Sequence, residues 1–82
     1  MPVLRDPTAI RLDGACTVED ALALVEALQS DPPLPVALAG CTHLHTAPLQ
    51  VLLALRPPLA SRFEEPFLAH WVGPLLDRGA GG

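Results

Sequence analysis

The chain has 82 residues, a formal net charge of −4 at pH 7 and a hydrophobic fraction of 50%. Its five basic residues are all Arg and are scattered, so they cannot form the clustered basic face that nucleic acids require, and anionic membrane surfaces are disfavoured for the same reason. Because no apolar run approaches the roughly 20 residues that span a bilayer, and the N-terminal residues lack a signal region, we expect a cytoplasmic protein without membrane insertion.

The length predicts one small domain, residues 1–78, followed by a disordered Gly-rich tail, residues 79–82. A domain of this size buries only about 60% of the surface of its unfolded chain. Since half of the residues are hydrophobic, we expect part of the apolar surface to face a partner or a second copy.

Two short strands are predicted within residues 2–13. Residues 6–8, Asp-Pro-Thr, form a turn between them, because Asp can hydrogen-bond its own backbone and Pro fixes φ. Ile10 and Leu12 share one face of the second strand. Asp-Gly at residues 13–14 then ends that strand.

The clearest helix is predicted to begin at Thr17, a good N-cap residue. Acidic side chains follow in its first turn, where the helix dipole favours them. The apolar side chains at helical spacing predict its buried face: Val18, Ala21, Leu22, Leu24, Val25 and Leu28. The solvent-facing side chains are predicted to be Glu19, Glu26 and Gln29. Asp-Pro-Pro at residues 31–33 ends the helix.

Residues 35–39 are apolar on both faces, which predicts a central strand buried on both sides. A polar loop follows, and a second helix is predicted for residues 47–55, with Thr46 as N-cap and Pro48 in the first turn. The buried stripe of this helix is predicted to be Leu49, Leu52 and Leu53.

The last helix is predicted to start after Ser61, because residues 61–64 read as a capping box. Apolar side chains then recur at helical intervals: Phe63, Phe67, Leu68, Trp71 and Leu75. We expect the three aromatic side chains to pack in the core; the alternative is an exposed anchor for a partner. Gly-Pro at residues 73–74 should break or kink the helix, and residues 77–82 should be frayed.

Residues 35–50 combine a short apolar strand, a loop of the form Gly-x-x-x-hydrophobic-x-Ser/Thr-x-x-Leu and the start of a Leu-rich helix; their sequence is PVALAGCTHLHTAPLQ. This pattern resembles the signature of STAS domains, the anti-anti-sigma-factor family. The resemblance covers residues 9–56. It departs from the family pattern at Ala37, His45 and Pro48, where family members commonly have Asp, Asp and Gly.

With the predicted elements, the resemblance implies a small STAS-like α/β domain of order β-β-α-β-α-α. Its mixed sheet is expected to have three strands, with four as the alternative, packed by helices. The STAS fold has a further strand between its second and third helices, but residues 57–62 look too short and Pro-broken to supply one. The sequence therefore predicts a trimmed sheet around Val36 and Leu38, with an unpaired edge or a thinly covered face. Either would promote self-association or tight binding to a partner that covers this region.

The resemblance also implies a bacterial signalling function by protein–protein contact, without enzymatic activity or a cofactor. It makes Thr46 the phosphoacceptor candidate for a partner kinase, and the expected partner-binding residues are His43, His45, Thr46 and Gln50. Three kinds of partner fit: a switch-protein kinase that regulates a sigma factor, a histidine-kinase or chemotaxis-type complex of two-component signalling, and a transporter complex with a STAS subunit. A homodimer is a further option.

Solvent exposure, or a place at an interface, is expected for His43, His45 and Thr46. Two neutral imidazoles are costly to bury without hydrogen-bond partners. Full burial of all three side chains in the monomer would contradict a binding role for the loop.

Cys41, His43 and His45 indicate an alternative function of a different class. These residues lie at alternate positions, so that in an extended segment all three side chains would share one face. Cys and His are the usual zinc ligands, and the alternative function is therefore a small metal- or thiol-dependent enzyme. Both cysteines, Cys16 and Cys41, are expected to be reduced, buried thiols, because the sequence shows no sign of secretion.

Overall fold

Short strands alternate with helices along the two stretches that the computed structural model describes, residues 3–29 and 34–76. The third helix, α3, comprises residues 66–76 and contains a π-helical segment, Leu68–Val72. The other elements, in chain order, are β1 (Val3–Arg5), β2 (Ile10–Leu12), β3 (Gly14–Cys16), α1 (Asp20–Leu28), β4 (Val36–Ala37), β5 (Cys41–Leu44), α2 (Thr46–Leu55) and β6 (Leu59–Ser61).

Four strands form one mixed sheet in the order β1-β2-β4-β6. β1 is antiparallel to β2, whereas β4 is parallel to both β2 and β6. A second, two-stranded sheet pairs β3 with β5 in parallel. The predicted mixed α/β fold is therefore confirmed, with four strands in its main sheet, and the second sheet is an addition that the sequence did not indicate.

The N-terminal strands and the turn between them agree with the prediction. One carboxylate oxygen of Asp6 accepts hydrogen bonds from the N–H of Thr8 (2.8 Å), the hydroxyl of Thr8 (2.7 Å) and the N–H of Ala9 (2.9 Å). Asp6 N–H in turn donates to the carbonyl oxygen of Ala9 (3.0 Å). Gly14, the first residue of β3, has a φ of +73°, which allows the chain to turn from β2 into β3.

The prediction that residues 57–62 cannot supply a strand is wrong, because β6 lies there. Both prolines precede the strand rather than interrupt it, and the carbonyl oxygen of Pro58 still accepts a hydrogen bond from Val36 N–H (2.8 Å). β4 is consequently paired on both sides within its own chain. The prediction of a trimmed sheet with an unpaired edge at Val36 is therefore also wrong, and it no longer supports self-association.

The first helix buries only part of the predicted face: Leu24 is buried and Leu28 packs partly buried against the core, as predicted. Thr17 lies in a turn before the helix, where the Asp20 carboxylate accepts hydrogen bonds from the N–H (2.7 Å) and hydroxyl (3.1 Å) of Thr17. The buried side chains of α1 are Leu24 and Ala27, whereas Val18 is 64% and Leu22 is 67% exposed.

Because apolar side chains surround the first half of α1, their periodicity could not select the core-facing side. Its predicted polar side chains, Glu19, Glu26 and Gln29, are exposed as expected. The predicted stop at residues 31–33 lies outside the described residues.

The second helix begins at Thr46, and His45 is its N-cap, so the assignment of Thr46 as N-cap is wrong by one position. Pro48 and Leu52 are the buried residues of α2, and Leu53 packs partly buried against the core. The helix ends at Leu55, and its C-cap residue Arg56 adopts a left-handed conformation with φ of 47°.

The third helix begins later than predicted, because Ser61 belongs to β6 and caps no helix. The carboxylate of Glu65 instead accepts hydrogen bonds from the N–H groups of Phe67 (3.1 Å) and Leu68 (2.7 Å). Phe63 is buried as predicted, but Phe67 and Trp71 are largely exposed, so the core assignment is wrong for both.

Gly73 and Pro74 widen the third helix rather than end it. Gly73 N–H donates to the carbonyl oxygen of Leu68, five residues back, and the chain stays helical to residue 76. Because Gly73 has no Cβ, it relieves part of the clash that disfavours helical geometry before Pro. The predicted frayed end, residues 77–82, and the domain boundary after residue 78 lie outside the described residues.

One hydrophobic core connects both sheets and all of these helices. Its buried members are Ile10, Leu12, Cys16, Leu24, Ala27, Val36, Leu38, Cys41, Leu52, Phe63, Leu68 and Leu76. Both cysteines are free and buried, as predicted.

Candidate functional site

The segment predicted as a polar loop is partly a strand. β5 pairs with β3, and the N–H of His45 just beyond β5 donates to the carbonyl oxygen of Cys16 (3.0 Å). This ladder fixes the start of α2 beside the chain that leads into α1. β3 was not predicted because its three residues, Gly-Ala-Cys, carry none of the β-branched or aromatic side chains typical of strands.

A bulge in this ladder separates Cys41 from the two histidines. Gly14 is paired with Cys41 and Ala15 with His43, which leaves Thr42 as an extra residue in β5. An extra residue reverses the alternation of side chains along a strand. Cys41 accordingly points into the core, while Thr42 and His43 are exposed. The expectation that Cys41, His43 and His45 share a face is therefore wrong.

The candidate surface consists of His43, His45, Thr46 and Gln50, and we call it the α2 N-terminal surface. All four residues are exposed, as expected for His43, His45 and Thr46. The rings of His43 and His45 meet edge to face, with centroids 4.9 Å apart and an interplanar angle of 80°.

Thr46 is the first helical residue of α2. His45, the N-cap, is extended (φ −70°, ψ 164°) and makes no side-chain capping hydrogen bond. Its carbonyl oxygen accepts a hydrogen bond from the N–H of Leu49 (3.2 Å). The first N–H groups of a helix have no acceptor within the helix, and the positive end of the dipole lies there. A phosphate group on Thr46 would lie close to these N–H groups and to the positive end of the dipole.

Beneath this surface, the two thiols form part of the core. The Sγ of Cys41 donates to the carbonyl oxygen of His43 (3.5 Å). The pKa of the Cys16 thiol is raised, first because Cys16 shares a hydrogen bond with Cys41 and second because burial disfavours the thiolate. The same hydrogen bond lowers the pKa of Cys41, and burial opposes that change. With both side chains at 0% exposure, neither sulfur meets solvent.

The described residues offer no ready metal or ligand site at this surface. Residues 3–29 and 34–76 contain no group of three or more His, Cys, Asp or Glu side chains that could hold a metal ion. A cavity of about 120 Å³ lies between β4, β6 and α3, lined in part by Leu38, Phe63 and Leu76. Sites for small molecules usually measure about 300–1,000 Å³, and this cavity does not include the α2 N-terminal surface.

Val18 was predicted to be buried on the first helix, and sequence reasoning missed its exposure. It lies two residues beyond Cys16, whose carbonyl oxygen accepts the hydrogen bond from His45, and it is exposed. The spacing of Thr17 and Asp20 could have indicated this exposure. The Asp20 carboxylate accepts a hydrogen bond from Thr17 N–H, the helix begins at Asp20, and Val18 therefore lies in the preceding turn.

In the part of the chain that the structure describes, no helix has the length and apolar character to cross a membrane. Comparisons of the chain with protein-family models, with curated proteins and with solved structures gave no match.

Proposed function

We propose that this chain is a non-enzymatic, STAS-like regulatory domain that binds a protein partner through the α2 N-terminal surface in a bacterial cytoplasmic signalling pathway. The element order carries the proposal. The sequence predicts no strand between the second and third helices, and this is its main departure from the fold implied by the resemblance. β6 occupies this place, so the departure disappears.

The character of the α2 N-terminal surface also supports binding to a protein. Its polar side chains are exposed on a ladder and a helix start that are held by backbone hydrogen bonds. Val18, two residues beyond the Cys16 carbonyl that accepts the hydrogen bond from His45, is an exposed apolar side chain. Exposed polar side chains with an apolar residue close by in the chain pairing suit a protein interface better than the enclosed pocket of a small-molecule site.

The departures from the family motif favour an accessory binding role over a phosphorylated antagonist. The family commonly has Asp at the positions of His45 and Ala37, so this chain lacks both of those carboxylates. Pro48, in the place of Gly, is fully buried and serves packing. Thr46 remains the phosphoacceptor candidate. The candidate partners remain a regulatory kinase, a histidine-kinase or chemotaxis-type complex, or a transporter complex.

Affinity purification from the source organism, followed by mass spectrometry, tests the proposal. The parent chain should retain a signalling or transporter protein. His45→Ala and Gln50→Ala should lower the retained amount at least about tenfold, as expected for central interface residues. Gln29→Ala is the matched control, because Gln29 is exposed at the opposite end of α1. Retention that is equal in all four proteins would contradict the assignment of this surface.

A further inference from the structure

The outer face of α3 is apolar although it is open to solvent. Phe67 and Trp71 are each 63% exposed, and Leu75 is 43% exposed. These side chains follow one another at intervals of four residues, about one turn each, and so form a stripe along the helix. Leu68 and Leu76 are buried on the other side. A helix that is apolar on both sides is normally covered on both.

The size of this stripe is that of a functional patch. Large aromatic side chains have roughly 150–250 Å² of surface, so the exposed parts of Phe67 and Trp71 sum to about 250 Å², to which the smaller exposed part of Leu75 is added. Ala69, His70 and Pro74 are exposed beside them and enlarge the face. The largest apolar patch on a typical monomer is about 300–600 Å² and is often functional. A standard interface buries about 800 Å² per partner, so this face fits a small, weak interface.

We propose that a second copy of this chain covers the stripe, with the two α3 helices antiparallel across a twofold axis at Trp71. A twofold interface must be self-complementary, because the same patch contributes on both sides. The stripe meets this condition, since Trp71 lies midway between Phe67 and Leu75. In the antiparallel arrangement Trp71 packs on its own copy, and Phe67 of each chain packs on Leu75 of the other.

The charges at the two ends of α3 favour the same arrangement. Glu64 is exposed just before the N-terminal end of the helix. At the C-terminal end, Nη1 of Arg56 donates to the carbonyl oxygen of Leu75 (3.4 Å). Antiparallel pairing therefore brings Glu64 of each chain towards Arg56 of the other. These two attractions oppose the general repulsion between chains of net charge −4.

This dimer goes beyond the proposed function, because the α3 stripe and the α2 N-terminal surface share no residue. It also differs from the predicted self-association through an unpaired edge at Val36, because β4 is paired on both sides.

Sedimentation equilibrium over a concentration series tests the dimer. The parent chain should be in monomer–dimer equilibrium, and Trp71→Glu should weaken the dimer at least about tenfold, as expected for an aromatic side chain at the centre of an interface. Leu22→Glu is the matched control: Leu22 is 67% exposed on α1, and the variant should dimerise like the parent. Far-UV circular dichroism verifies that each variant is folded.

A charge exchange tests the orientation. Glu64→Arg and Arg56→Glu should each weaken the dimer, because like charges then meet at both ends. An equimolar mixture of the two variants should regain the affinity of the parent, since an antiparallel heterodimer restores opposite charges at both ends. A parent chain that stays monomeric at about 1 mM, where even a dimer stabilised by only about 4 kcal/mol would form, overturns the proposal. An undiminished dimer of Trp71→Glu, or a mixture no stronger than its components, overturns it as well.

Discussion

At the scale of single residues, α2 begins one position earlier than predicted, and this changes what a substitution at Thr46 measures. As an N-cap, Thr46 would lose about 1 kcal/mol of stability on replacement by Ala. As the first helical residue, behind an N-cap that makes no side-chain bond, it has no capping bond to lose. Substitutions at Thr46 therefore report on the binding surface with little disturbance of the helix.

If Thr46 is a phosphoacceptor, Thr46→Asp should weaken partner binding and Thr46→Ala should preserve it. The added carboxylate imitates part of the charge of a phosphate at the same helix end. Both proteins should melt within a few degrees of the parent. Binding is measured by isothermal titration with the partner retained in the affinity purification. Equal affinity of the parent, Thr46→Ala and Thr46→Asp would exclude the phospho-switch.

Asp6 makes the β1–β2 turn sensitive to acid. The pKa of its carboxyl is lowered, first by the hydrogen bond from the Thr8 hydroxyl and then by those from the N–H groups of Thr8 and Ala9. Because the folded pKa lies below the unfolded one, the carboxylate stabilises the fold above its ordinary pKa of 3.8 and loses this effect as the pH falls through the lowered value.

The melting temperature of the parent should therefore exceed that of Asp6→Asn at neutral pH, and the difference should shrink once the pH drops below 3.8. Thr8→Val, which removes the first of the donors, should show a smaller pH dependence than the parent. Thermal melts across this pH range measure both effects. A difference between parent and Asp6→Asn that persists in acid would show that the charge of Asp6 is not its cause.

The bulge at Thr42 marks a limit of sequence reasoning at this scale. Alternate positions share a face only in a regular strand, and one extra residue moves every later side chain to the other side. The exposure of the histidines could be predicted from the cost of burying an imidazole. Their separation from Cys41 could not, because it depends on the register with Gly14 and Ala15.

At the scale of elements, β6 depends on a side chain as well as on its backbone. The Oγ of Ser61 accepts hydrogen bonds from the N–H groups of Leu38 (3.0 Å) and Ala39 (3.1 Å), where β4 ends. These two donors lie in a partly buried region. Leu38 N–H also donates to the backbone carbonyl oxygen of Ser61 (3.2 Å), so removal of the hydroxyl would deprive Ala39 N–H of this acceptor and leave Leu38 N–H with the carbonyl oxygen.

Ser61→Ala should therefore lower the free energy of unfolding by about 1–3 kcal/mol, the usual penalty for a buried polar group left unsatisfied. Ser61→Thr keeps the hydroxyl on a strand-favouring residue and should remain close to the parent. Urea denaturation of the three proteins measures the difference. If Ser61→Ala were as stable as the parent, these hydrogen bonds would contribute nothing to the junction of β4 and β6.

Short elements and uniformly apolar helices account for most of the other differences from prediction. Two of the strands that were not predicted, β3 and β6, have three residues each, too few for a periodic pattern to develop. The run of apolar side chains at the start of α1 is compatible with several buried faces, and only packing against α2 and β1 selects one. The positions of α1 and α2, in contrast, were within about three residues of the prediction, because helical spacing of apolar side chains is a local property, although the predicted N-caps Thr17 and Thr46 were both wrong.

At the scale of the whole molecule, one core ties the N-terminal strands to the last helix. Leu68 and Leu76 of α3 belong to the same buried cluster as Ile10 of β2 and Leu52 of α2. The strand order that makes this possible places β4 between β2 and β6. This strand order could not be deduced from local patterns, because it depends on β6, which directly follows the two prolines at residues 57–58.

A single core predicts that the chain unfolds as one unit. Trp71 is the only Trp and lies in α3, so its fluorescence reports on that helix, whereas far-UV circular dichroism also reports on α1 and α2. In urea, at a protein concentration low enough to keep the chain monomeric, both signals should give the same midpoint and the same slope.

Phe63→Leu, which alters a buried ring of this core, should shift both midpoints together by the equivalent of about 1 kcal/mol. If α3 were only loosely attached, its fluorescence would change at lower urea than the dichroism, and Phe63→Leu would move the fluorescence transition alone. Coincident transitions would instead mean that the exposed stripe on α3 is displayed by a helix that is as stable as the rest of the domain.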